Sequence, residues 1–99
     1  MEIKVTEKAQ KWFESELGVS EGRGVRFLGK VYGKSQIHEG FSIALEVVEP
    51  KNPIAMTTLN GISYFVDAAD DWFFNGYDLE VSFDEQNNEP EYIFHEIKA

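Results

Sequence analysis

The chain has no cysteine and only three prolines, and its nine lysines and arginines are outnumbered by eighteen aspartates and glutamates in 99 residues. The missing cysteine removes disulfides, thiol nucleophiles, thiolate metal sites and every all-cysteine iron–sulfur ligand set. No apolar run approaches the ~20 residues of a membrane span. Met1-Glu2-Ile3-Lys4 begins a patterned segment rather than a signal peptide, so a cytoplasmic protein with no membrane partner is expected. The shortage of base is uneven. Residues 1–60 carry eight acids and eight bases, whereas residues 61–99 carry ten acids and a single base, Lys98. That acidic third repels nucleic acid and anionic lipid. It suits a basic protein partner, and it also keeps the protein soluble.

What is present is a patterned globular chain. Hydrophobic residues make up 42% and aromatics 14%, enough for a modest core in a single domain spanning residues 1–99. Ile3 and Val5 alternate with polar neighbours, so a short strand opens the chain. Thr6 is a good N-cap, and apolar positions at helical spacing follow at Ala9, Trp12, Phe13 and Leu17, predicting a helix over 7–17 that stops at Gly18. Val25, Phe27, Gly29 and Val31 share one strand face. Phe41, Ile43, Leu45 and Val47 share another, so complete that a central strand facing the core is expected. Asn60-Gly61 between two apolar runs is a strong hairpin signal.

Asp67 is placed to cap a short helix over 68–74, closed by Asn75-Gly76. Three consecutive aromatics, Trp72-Phe73-Phe74, cannot all face inward from a helix, so one ring is expected outside or under a loop. Two alternating strands end the chain. Strands outnumber helices and short turns join most of them. The predicted fold is α+β and mainly β: an antiparallel meander sandwich or flattened barrel, with an N-terminal helix and one short second helix.

Chemistry is sparse. Gly33-Lys34-Ser35 matches the end of a phosphate loop, but Leu28 stands where the first glycine is required and no helix follows. There is no nucleophile elbow, and no enzyme is expected. His38 and His95 each precede a glutamate, Glu39 and Glu96. Imidazole with carboxylate suits iron or zinc through nitrogen and oxygen. Two such pairs make four candidate metal ligands if loop and last strand are neighbours; otherwise both histidines are ordinary surface residues. Within the acidic third, Asp70, Asp71, Asp84 and Glu85, with the aromatic cluster, are candidates for a protein-binding surface.

The order of elements and several local strings resemble the HesB-like family, the A-type iron–sulfur carriers. Thr6-Glu7-Lys8-Ala9 resembles the family's entry into its first helix, and Gly24-Val25-Arg26-Phe27 its first core strand. Gly40-Phe41-Ser42-Ile43-Ala44-Leu45 is similar to the segment after the family's cysteine–serine–glycine. Asn60-Gly61-Ile62 through Val66-Asp67 is similar to its hairpin, and Asn75-Gly76-Tyr77-Asp78-Leu79-Glu80-Val81 to its return strand. The family's carriers use a loop cysteine and a C-terminal cysteine–glycine–cysteine. Alignment on Gly40-Phe41 puts His38 at the loop cysteine and Glu39 at the next serine, with no counterpart of the C-terminal pair. The resemblance implies a HesB-like fold in a cysteine-less branch. It implies a non-enzymatic role in or near iron–sulfur cluster assembly or metal handling, with iron or zinc held by His38 first and no thiolate-ligated cluster. The alternative is a structural or interaction domain that kept the fold and lost ligand binding. The oligomeric state stays open.

Overall fold

Thr6 turns the first strand, β1 (Ile3–Val5), into helix α1 (Glu7–Glu16): its hydroxyl accepts a hydrogen bond from the Ala9 N–H at 3.3 Å. Gly18 ends the helix at φ +62°, and Val19 just beyond it is buried. The computed structural model describes residues 1–30 and 42–98. After α1 come β2 (Gly24–Lys30), β3 (Ser42–Val47), β4 (Pro53–Leu59) and β5 (Ile62–Asp67). A 3-10 turn (Ala68–Asp70) leads into the short helix α2 (Asp71–Phe74), and β6 (Tyr77–Asp84) and β7 (Glu89–Glu96) follow.

The strands form two sheets, β1-β6-β7 and β3-β2-β5-β4. The pairs β2–β3, β4–β5 and β6–β7 are antiparallel, the last two across the short turns that predict it. The sheets are nevertheless mixed. Two of these pairs lie side by side with β2 and β5 parallel at the centre, and β1 runs parallel to β6. The expected helix over 7–17 ends at Glu16 with Leu17 as its cap, and the expected short helix over 68–74 is split into the 3-10 turn and α2. Asn60 and Gly61 take φ of 51° and 75°, the left-handed pair of a two-residue hairpin turn.

One expectation is overturned. Among the described residues β3 is an edge strand, not a central one, with Ile43 and Leu45 half-buried and Val47 exposed. Alternation reports that one face is covered; it carries no information on how many strands flank it. The centre goes to β2 and β5, whose Val25, Phe27, Ile62, Tyr64 and Val66 are buried.

The core is aromatic. Phe13 of α1 meets Phe27 and Tyr64 with ring centroids 6.0 and 5.6 Å apart, while α1 also lies against β6 and β7. A second group joins Phe73, Phe74 and Phe94, with Phe73 and Phe74 at 4.9 Å. Phe73 enters because β2 leaves room for it. A Cβ on Gly29 would lie 2.4 Å from Phe73 Cδ2, closer than any real contact.

Tyr64 is wholly buried, and its hydroxyl has no hydrogen-bond partner among the described residues. Burial, with a smaller push from Glu14, raises its pKa from 10.0 to about 12.

Two outcomes follow from this packing. Gly29→Ala is expected to lower stability by about 1–3 kcal/mol in urea denaturation, because the methyl overpacks against the Phe73 ring. Phe73→Leu in the Gly29→Ala background recovers part of that loss, and a Gly29→Ala protein as stable as wild type contradicts the close packing. Tyr64→Phe is expected to gain about 1 kcal/mol by deleting an unsatisfied buried hydroxyl. Because the folded state holds the Tyr64 proton more tightly than the unfolded chain does, wild type loses stability as pH rises from about 10 towards about 12. Tyr64→Phe removes that part of the alkaline loss; a destabilised Tyr64→Phe protein shows instead that the hydroxyl is hydrogen-bonded.

Candidate functional site

Strand β7 puts His95 on the outer face of the three-stranded sheet, exposed and opposite Asp78 of β6. Its Nε2 lies 2.8 Å from Glu80 Oε1. Glu80 is the diagonal neighbour on the adjacent strand, within reach of a long side chain. Lys4 of β1 is in register with Glu80, and the Glu2 N–H donates to Asp78 Oδ1 at 2.7 Å. This face therefore carries three acids around one lysine and one histidine.

Of the four residues predicted as metal ligands, the two described ones, His95 and Glu96, do not converge. Glu96 follows His95 directly, so the two side chains leave opposite faces of the strand; Glu96 is in register with Tyr77 instead. His38 and Glu39 lie outside the described residues. Among the described residues no group of three or more histidines, aspartates and glutamates is placed to hold a metal ion. The partner of His95, Glu80, is missed by adjacency in sequence. Only the β6–β7 register reveals it, and that depends on the length of the turn between them.

The acidic third is less available than its composition suggests. Asp70 is buried, with 5% of its surface exposed, and accepts a hydrogen bond from Arg26 Nε at 2.8 Å. That bond is the main reason the Arg26 guanidinium holds its proton above its ordinary range; Glu46, 4.0 Å from Nη1, adds to it. Asp70 therefore belongs to the framework and is not part of a docking surface. Asp84 accepts from the Asn87 side chain at 2.7 Å and from the Gln86 and Asn87 N–H groups at 3.0 and 3.3 Å. These bonds, the Asn87 side chain first, hold its carboxyl below the usual range. Glu85 pairs with Lys8 of α1. Of the four candidate acids, Asp71 alone is both exposed and at an element's start, the first residue of α2.

The aromatic cluster behaves as three consecutive helical positions require. Phe73 and Phe74 are buried, and Trp72 is 53% exposed. Ile97 is 44% exposed. It belongs to the same end of the molecule, since its N–H donates to the carbonyl of Gly76 at 2.9 Å, in the turn that follows α2. Ile54 and Met56 are also exposed, on the edge strand β4.

No protein-family model matches the chain. It is 32% identical over 90 residues to the Bacillus subtilis protein named pyruvate dehydrogenase inhibitor, covering 91% of this chain and 95% of that protein. An uncharacterized protein of Staphylococcus epidermidis is 33% identical over 98 residues, covering 95% and 97%. Among solved structures, Escherichia coli SufA, involved in biosynthesis of iron–sulfur clusters, superposes with a TM-score of 0.60 at 25% identity, covering 98% of this chain and 82% of that one. IscA with its 2Fe–2S cluster superposes at 0.56 and 18% identity, covering 98% and 84%. The chain belongs to the HesB-like family.

This HesB-like chain shares the fold of iron–sulfur assembly proteins and has no cysteine. A sulfide cluster needs soft thiolate ligands, and the residues of this HesB-like chain do not fit one. Among the described residues no helix is long and apolar enough to cross a membrane.

The geometry of His95 gives a direct expectation. A single imidazole with one carboxylate is a poor site, so His95→Ala is expected to leave the heats of zinc and ferrous iron titration unchanged in calorimetry. A drop in affinity on His95→Ala would make His95 a ligand.

Proposed function

We propose that this chain is a regulator that works by binding, and that its target is a pyruvate dehydrogenase, which it inhibits. The observation that carries this reading is the 32% identity with the Bacillus subtilis inhibitor, extending over 91% of this chain and 95% of that protein. Likeness over nearly the full length of both chains is what a shared whole-domain role requires; a borrowed motif would match locally. The composition supports it from the other side. The sequence carries no thiol and no nucleophile elbow, which suits a role exerted through surface. An inhibitor needs no reaction of its own, only a face that holds the enzyme in an inactive state or blocks its access.

A second reading, metal handling near iron–sulfur assembly, is favoured by the fold of SufA and IscA and by the alignment of His38 with the carriers' loop cysteine. In that case His38→Ala, with Glu39 beside it, abolishes the iron or zinc heat, while His95→Ala and Glu96→Ala do not.

Adding the purified chain to pyruvate dehydrogenase from the same organism, with steady-state assay of pyruvate oxidation, tests the first reading. Activity is expected to fall in proportion to added chain and to level off near stoichiometric binding. Full activity at a large molar excess, with no complex on gel filtration, overturns it.

A further inference from the structure

The proposed role requires a surface, and the molecule offers one at the end where α2 turns into β6. We propose that this end is the docking surface for the inhibited enzyme, with Trp72 as its anchor, and that it fits an apolar cleft rimmed by lysine or arginine. The inference rests on the reading of this chain as an inhibitor and adds to it the face and the chemistry of the contact.

Trp72 is held out by its neighbours. Phe73 and Phe74, the next two residues, are buried at 0% and 1% exposure, and the Phe73 ring fills the space left by Gly29. Immediately before α2, Asp70 is buried and bonded to Arg26 of β2. A helix of four residues has no stability of its own, yet these contacts on either side of Trp72 fix its direction. Its indole also meets the Phe73 ring edge-on, with centroids 5.5 Å apart. Binding through such a residue costs little ordering entropy. Tryptophan is also the side chain most enriched among residues that dominate binding energy.

The surroundings select the partner. The Ile97 N–H donates to the Gly76 carbonyl at 2.9 Å, which brings the end of β7, with the exposed Glu96, to the turn after α2. Asp71 and Glu96 are exposed around this end, in the part of the chain that carries ten acids against one lysine. An apolar centre with an acidic border complements an apolar cleft with a basic rim. The exposed Ile54 and Met56 lie on β4, a strand without a charged residue, where nothing of the kind selects a partner.

The test measures affinity for pyruvate dehydrogenase by calorimetry, with wild type, Trp72→Ala, Asp71→Lys and, as a control, Met56→Ala. Circular dichroism melting of each variant monitors folding. Trp72→Ala is expected to weaken binding by about 30-fold or more. Asp71→Lys, an exposed change that leaves the aromatic packing intact, is expected to weaken it severalfold and to flatten its salt dependence. Met56→Ala binds as wild type does. If wild type binds while Trp72→Ala and Asp71→Lys bind within twofold of it, the docking surface is wrong and the inhibitor reading stands. If wild type does not bind, both fall together.

Discussion

Much of this molecule depends on an atom that is absent. Gly29 sits near the end of β2 with no Cβ, and the Phe73 ring occupies the space where one would stand. That contact, with Phe74 against Phe94 and Asp70 against Arg26, ties a helix of one turn to both sheets: Arg26 and Gly29 belong to one, Phe94 to the other. The Asp70–Arg26 bond is best understood as fixing position. A buried ion pair spends much of its attraction on desolvation, whereas losing one partner leaves the other charge stranded. Together these contacts convert a segment too short to be a helix alone into a rigid platform that presents Trp72.

Several of these features can be read from the sequence because they are local. Thr6 and Gly18 bracket α1, Asn60-Gly61 forces a left-handed turn, and Trp72-Phe73-Phe74 must expose a ring whatever surrounds it. What stays hidden depends on the arrangement of distant segments. The edge position of β3, the parallel pairing of β2 with β5, and the diagonal contact of His95 with Glu80 all arise from sheet order and register. Asp70 shows the same limit in charge. It reads as one more surface acid, and becomes part of the framework only because Arg26, 44 residues earlier, lies beneath it. The candidate loop ligands His38 and Glu39 fall outside the described residues, so the resemblance alone speaks for them.

The same limit separates fold from function. The two-sheet framework is shared with SufA, involved in biosynthesis of iron–sulfur clusters, and with IscA, solved with a 2Fe–2S cluster, but this sequence has no cysteine to supply a thiolate. A fold can outlast its chemistry when the residues that hold it together differ from those that do the work. Here the framework is carried by aromatic packing, capped turns and the part-buried Arg26–Asp70 ion pair, none of which involves a thiol.

The central claim is that this domain acts by presenting the α2 end to pyruvate dehydrogenase. Hydrogen–deuterium exchange of the chain, free and in complex with the enzyme, tests it most directly. The account predicts added protection at the amides of Asp71–Phe74 and of the turn joined by the Gly76–Ile97 bond, with little change along β4. Protection confined to β4 or to the outer face of the β1-β6-β7 sheet, with α2 unchanged, contradicts it.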